Sequence, residues 1–214
     1  MIKAILFDLD GTIHDSRDVV FFCMDKTFQQ FGLPTPSREA VISEVHAGSA
    51  RLFAQLAPEN KRQEMLDYFR EIYKTECNKI EPYENAQTIL KQLHEQGYRL
   101  GIVSSARAAE DFVKSYGLGD LFDVIVGGNT TAKHKPDPEP VLFALHSLGV
   151  SPKEAIIVGD LPADIEAGRA AGLKALVAIT HGFGSRQLLA ESTPDYLVDS
   201  FADLHQLVVK GGLE

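Results

Sequence analysis

Short apolar runs punctuate the chain at intervals. Ile2 to Phe7 is the first, and it ends in acidic residues and Gly11, as expected of a strand buried on both faces. Similar runs stand at Arg99 to Val103, Val124 to Val126, Ala155 to Val158, Lys174 to Ile179 and Tyr196 to Val198. Between most of them the apolar positions take helical spacing. Ala86, Ile89, Leu90 and Leu93 close at Gly97; Phe112, Val113 and Tyr116 close at Gly117; Val141, Leu142, Leu145 and Leu148 close at Gly149. Strands alternating with helices that stop at glycine predict an α/β fold with a parallel, doubly wound sheet.

One stretch breaks this alternation. From about Ser16 to Ile80 the pattern is helical only, with one stripe at Val20, Cys23, Met24, Thr27, Phe28 and Phe31 and another at Met65, Leu66, Phe69, Ile72 and Tyr73. Turn signals at Gly32 to Pro36 and Ala57 to Asn60 divide it. The expected organisation is an α/β core of residues 1–15 and 82–214 interrupted by a helical insertion of residues 16–81.

Composition narrows the class of partner. The chain has 214 residues, with 30 acidic against 21 basic side chains and a formal charge of −9, and no basic run. A nucleic-acid or membrane-surface partner is therefore not expected, because both demand a clustered positive footprint. Cys23 and Cys77 show no Cys-x-x-Cys spacing, so neither a disulfide framework nor a thiolate metal site is suggested. With no long apolar span and no signal segment in the pattern, the expected location is the cytoplasm.

In such a sheet, ligands bind beyond the carboxyl ends of the strands, so candidate chemistry is sought there. Asp8 and Asp10 lie two residues apart where the first strand ends, and strand periodicity points both the same way. Taken alone, the pair reads equally as a turn cap. Ser104 and Ser105 follow the strand at Arg99 to Val103, where a helix N-cap is the plainer reading. Lys135 sits in Lys133-His134-Lys135-Pro136-Asp137-Pro138-Glu139-Pro140, a loop stiffened by proline; a lone loop lysine is usually a solvated charge, and the stiffening makes this one a better candidate than most for a positioned cation. Asp160 ends the strand at Ala155 to Val158, and Asp164 falls in the first turn of the helix that follows, where complementing the helix dipole is the default reading of one carboxylate. Three or four acids converging on one crevice demand a neutralising cation. Oxygen-only donors, with no i,i+4 pairing of the seven histidines to suit zinc, favour a hard ion, and Mg²⁺ leads. A carboxylate nucleophile, a second acid, a hydroxyl, a lysine and Mg²⁺ suit phosphoryl transfer, and no Gly-rich nucleotide loop accompanies them.

Four segments in this order carry a family resemblance: Asp8-Leu9-Asp10-Gly11-Thr12, Gly101-Ile102-Val103-Ser104, Lys135-Pro136-Asp137-Pro138-Glu139-Pro140, and Gly159-Asp160 with Asp164-Ile165-Glu166-Ala167-Gly168. The chain resembles the haloacid dehalogenase superfamily, in the subgroup that includes phosphoglycolate phosphatase, pyrophosphatase and β-phosphoglucomutase. The resemblance implies a Rossmann-like core with a helical cap inserted after the first strand. It makes Asp8 the nucleophile that becomes an aspartyl-phosphate. Asp10 is then the acid for the leaving oxygen and the base for the attacking water. Ser104 is a hydrogen-bond donor to a phosphoryl oxygen, and Lys135 balances charge. The same resemblance implies Mg²⁺ held by the Asp8 carboxylate, the Asp10 backbone carbonyl, Asp160 and Asp164, with backbone N–H groups near Leu9 and Ser105 as further phosphate donors.

The expected activity is thus a Mg²⁺-dependent phosphatase acting on a small phosphorylated metabolite, as a monomer or homodimer. A phosphomutase is the alternative the core residues leave open, and a non-catalytic phosphate-binding module is a third. Arg17, His46, Gly48 and Arg51 of the insertion are candidates to face the site, each weighed against a surface or packing role. Two positions depart from the family pattern. Leu161 stands where many relatives have Ser or Asn, and Ala106 where relatives often carry Lys. His14 is given no role beyond proximity.

Overall fold

The structure is a computed structural model that describes residues 1–210. β1 (Ala4–Phe7) leads to the two-residue strand β2 (His14–Asp15), and four helices follow: α1 (Arg17–Gln30), α2 (Arg38–Val45), α3 (Gly48–Leu56) and α4 (Arg62–Glu76). β3 (Glu81–Pro82) precedes α5 (Ala86–Glu95), β4 (Arg99–Val103), α6 (Ala109–Ser115), β5 (Val124–Val126) and α7 (Glu139–Leu148). The chain continues through β6 (Ala155–Gly159), α8 (Pro162–Ala170), β7 (Ala175–Ile179), α9 (Arg186–Glu191), β8 (Tyr196–Val198) and α10 (Phe201–Val209). Two compact units result: Met1–His14 together with the chain from Pro82 onward, and Asp15–Glu81. Among the described residues, no helix is long and apolar enough to cross a membrane.

In the first unit, six strands form one parallel sheet in the order β5-β4-β1-β6-β7-β8. The chain runs outward from β1 to β4 and β5, then crosses back to β6 and runs the other way. β1 is therefore central, and a doubly wound sheet opens its ligand crevice beside such a reversal. Alternate residues of β1 serve opposite faces. Ala4 and Leu6 join an apolar cluster with Val141, Ala144 and Leu145 of α7 and Ile165 and Ala167 of α8. Phe7 stacks on Phe201 of α10 at 6.3 Å on the other face. Helices on both faces explain why the strands read as unbroken apolar runs. The period of two carries past the strand end, so Asp8 continues the Ala4 and Leu6 side, toward α7 and α8.

Register brings the strand ends level. Phe7 pairs with Ile102 on one side and Val158 on the other. The residues just beyond each strand therefore gather at one edge of the sheet: Asp8 after β1, Ser104 after β4 and Asp160 after β6.

Between its end residues, which belong to β2 and β3, the second unit is helical. Phe28 of α1 stacks on Phe53 of α3 at 6.3 Å, and Phe53 meets Phe69 of α4 at 5.3 Å. The two apolar stripes of the sequence correspond to α1 and α4. Two shorter helices between them were not read from the pattern, because α2 buries only Val41 and α3 only Leu52 and Phe53. Helices this short are set by packing and capping, and the Ser37 hydroxyl accepts from Ala40 N–H to start α2. Cys23 and Cys77 are free thiols, and burial pushes the Cys23 thiol up to about 12.

Candidate active site at the strand ends

Five polar side chains are buried together at the carboxyl edge of the sheet: Asp8, Ser104, Lys135, Asp160 and Asp164. Lys135 ties the group together. Its ammonium donates to Asp8 Oδ1 at 2.7 Å, to Asp164 Oδ1 at 2.5 Å and to the Val103 carbonyl at 2.8 Å, which uses all three N–H groups. It is 4% exposed, so this cation is positioned rather than solvated.

Each carboxylate is oriented differently. Asp164 Oδ2 accepts from Leu161 N–H at 3.0 Å, folding the start of α8 back on its own carboxylate. Asp160 Oδ1 accepts from the Thr12 hydroxyl at 2.9 Å, and its Oδ2 accepts from Phe183 N–H at 2.7 Å. Asp8 is held through Oδ1 alone, and its Oδ2 accepts no hydrogen bond from the described residues. Glycine permits this crowding at two places. A Cβ at Gly159 would run into the Asp164 side chain. At Gly11, with φ of +82°, a Cβ would collide with the Asp160 carboxylate.

Carboxylate oxygens of Asp8, Asp160 and Asp164 lie within 4.8 Å of one another. Two of these buried acids, Asp8 and Asp164, share the Lys135 ammonium while Asp160 has only neutral donors, and the electrostatics reflect the shortfall. Burial pushes the Asp8 carboxyl up to about 7; Lys135 opposes the rise, and Asp164 and Asp10 add to it. Burial, then the Asp8 and Asp164 charges, lifts Asp160 well above the carboxylate range despite its two hydrogen bonds. Burial works against the Lys135 ammonium, but Asp164 and Asp8 outweigh it, so its pKa rises. A cluster of hard oxygen donors in deficit of positive charge fits a divalent cation such as Mg²⁺, and a thiolate- or imidazole-preferring metal less well.

Asp10 lies outside this cluster. Its Oδ1 is 3.0 Å from His14 Nε2, and its side chain keeps 22% exposure. Ser104 Oγ accepts from Ala106 N–H at 3.0 Å. Ser104 and Ser105 line a small concavity with Thr131, His134 and Lys135. The Leu9 carbonyl accepts from the N–H groups of Thr12, Ile13 and His14, which curls the chain tightly after Asp8. In the helical unit, Arg17 is paired with Asp15 and Arg51 with Glu44.

The two positions that depart from the family pattern keep backbone contacts here. Leu161 still holds Asp164 through its N–H, and Ala106 still reaches Ser104 through its own. Thr12 belongs to the first motif but was not expected to hold Asp160, although a hydroxyl after Asp-Gly is a readable signal. Phe183 N–H had no signal at all. It belongs to a loop after β7, and a backbone donor is the same in every residue type.

The family model described as haloacid dehalogenase-like hydrolase matches residues 5–178. A phosphoglycolate phosphatase of Aquifex aeolicus is 34% identical over 209 residues, covering 96% of each chain. Pyrophosphatase PpaX of Halalkalibacterium halodurans is 32% identical over 209 residues, covering 97% of each. Among solved structures, a predicted phosphoglycolate phosphatase from Haemophilus somnus superposes with a TM-score of 0.86 at 28% identity, over 97% of this chain and 98% of that one.

Proposed function

The chain belongs to the haloacid dehalogenase-like hydrolases, and from that premise we propose a Mg²⁺-dependent phosphatase that hydrolyses a small phosphorylated metabolite through an aspartyl-phosphate on Asp8. The single observation that carries this reading is the state of Asp8, with one oxygen held by a buried Lys135 and the other accepting no hydrogen bond from the described residues. A nucleophile needs that combination of fixed orientation and one available lone pair.

In the first step an Asp8 oxygen forms a bond to phosphorus as the bond to the leaving oxygen breaks, and Asp10 donates a proton to that oxygen. In the second, water attacks the aspartyl-phosphate, Asp10 takes its proton, and the phosphorus bond to Asp8 breaks to release inorganic phosphate. Lys135 and the Ser104 hydroxyl face the negative charge on the transferred group, with the Leu9 and Ser105 N–H groups as further donors. Asp8, Asp160, Asp164 and the Asp10 carbonyl are the groups that would hold Mg²⁺, which when bound supplies positive charge to the phosphoryl oxygens. In this reading residues 1–15 and 82–214 carry the chemistry, and the helical insertion 16–81 selects the substrate.

The names of the relatives put 2-phosphoglycolate and inorganic pyrophosphate first in a panel of substrates that also includes sugar and alkyl phosphates. Phosphate release should require Mg²⁺ and fall by roughly 10⁴-fold or more in Asp8→Asn. Release undiminished in that variant would refute the assigned nucleophile.

A further inference from the structure

The nucleophile is fixed by long-range contacts, whereas Asp10, the acid and base of the proposed reaction, sits on a turn with a partly exposed side chain. A proton donor on a partly exposed turn must have its torsions fixed, because a misplaced one forfeits most of its effect. His14 addresses this. Its ring is fully buried. It meets Phe112 edge-on at 5.0 Å and Tyr116 edge-on at 5.8 Å, so packing fixes its orientation. Its two nitrogens have separate partners: Nε2 lies 3.0 Å from Asp10 Oδ1, and Nδ1 lies 2.9 Å from the Tyr116 hydroxyl.

The roles follow from donor and acceptor chemistry. An ionised carboxylate only accepts, so Nε2 carries the hydrogen toward Asp10. A neutral ring then offers a lone pair at Nδ1, which the Tyr116 hydroxyl satisfies as donor. The backbone supports the same contact, because Gly11 N–H donates to the His14 carbonyl at 2.9 Å and closes the turn that brings residues 10 and 14 together. A core histidine with no task would need only satisfied nitrogens. This one spends its hydrogen on the side chain whose aim matters most.

We propose that His14, held by Tyr116 and Phe112, is a positioning residue that fixes the Asp10 carboxylate in the orientation for proton transfer to the leaving group and from water. The inference rests on the phosphatase reading above and concerns one residue type of this chain.

The test exploits leaving-group chemistry. A general acid matters greatly for an alkoxide leaving group and little for p-nitrophenolate, which departs without a proton. For His14→Leu, kcat/KM on an alkyl phosphate should fall about 10²- to 10³-fold, within the range of general acid catalysis. On p-nitrophenyl phosphate, kcat/KM should fall less than about fivefold, because that ratio reports only the transfer to Asp8. There kcat and KM should fall together, since the later attack of water still needs Asp10 as base. His14→Gln, which keeps an amide N–H near the Nε2 position, should recover a tenfold or larger part of the alkyl phosphate loss, on the same general-acid scale. Tyr116→Phe should give a smaller loss of the same leaving-group dependence, and it covers the case in which His14→Leu does not fold. Equal losses on both esters, or no loss on either, would overturn the inference while leaving the phosphatase reading intact. A wild-type protein that releases phosphate from neither ester would overturn that reading and this inference with it.

Discussion

Asp8 and Asp10 are two residues apart and live under opposite constraints. Asp8 is 6% exposed and shares Lys135 with Asp164, an element 29 residues further on from that lysine. Asp10 is partly open to solvent, and its identified partner His14 is four residues away. One carboxylate is placed by the sheet and the other by a turn. The placement suits the tasks proposed for them, because a nucleophile must hold a fixed line to phosphorus while a proton carrier must meet both solvent and substrate. It also implies that perturbing the two side chains should have different consequences: a change at Asp8 or Lys135 should reach the stability of the fold, and a change at the Asp10 carboxylate itself should reach chiefly the chemistry.

The largest expected effect is at Lys135. Lys135→Met removes the cation paired with two buried carboxylates, Asp8 and Asp164, and should cost roughly 3–5 kcal/mol, as breaking buried ion pairs does. A thermal melt of the metal-free protein would show it. A midpoint within a degree or two of wild type would mean that the lysine does not stabilise the cluster.

The second effect has the opposite sign. Asp8 has a folded pKa near 7 against the usual 3.8, so the folded state binds its proton more tightly than the unfolded chain does. Its contribution to the stability of the metal-free protein is therefore greatest below about pH 4 and is lost as pH rises toward 7. Asp8→Asn, uncharged at every pH, should flatten that dependence and raise the metal-free melting midpoint near neutrality while abolishing turnover. Each 1 kcal/mol should appear as roughly 2–4 °C in a chain of this size. A steeper pH dependence in the variant would contradict the assignment.

Metal binding sharpens the same contrast. If Mg²⁺ binds as proposed it would displace protons from Asp8 and Asp160, so apparent Mg²⁺ affinity should weaken by at least about tenfold for each pH unit below about 7. Titration calorimetry in buffers of different ionisation enthalpy would count the protons released, and a release of none would sink the idea. Thr12→Val should have a smaller effect. It removes the hydroxyl that orients Asp160, with an expected loss of about 1 kcal/mol in stability and about tenfold in Mg²⁺ affinity.

Much of this was open to reading before folding was considered. The strands at Arg99–Val103, Val124–Val126 and Tyr196–Val198 have the bounds that their apolar runs suggest, and α5, α6 and α7 end within two residues of Gly97, Gly117 and Gly149. Those features are local: periodicity and punctuation act over a few residues, and the chain displays them directly. The positions of Asp8, Ser104, Lys135, Asp160 and Asp164 at strand ends and beside them were legible for the same reason. α2 and the strands of two residues were not, since so few residues carry no period.

Their partnerships were decided elsewhere. Asp8 meets Lys135 across 127 residues and Thr12 meets Asp160 across 148, and the loop bearing Phe183 reaches Asp160 by a backbone N–H. Composition and spacing encode which groups are present and on which element. Which oxygen faces which donor depends on parallel register, on helix packing and on the absence of a side chain at Gly11 and Gly159, and none of these exists until distant segments share one sheet.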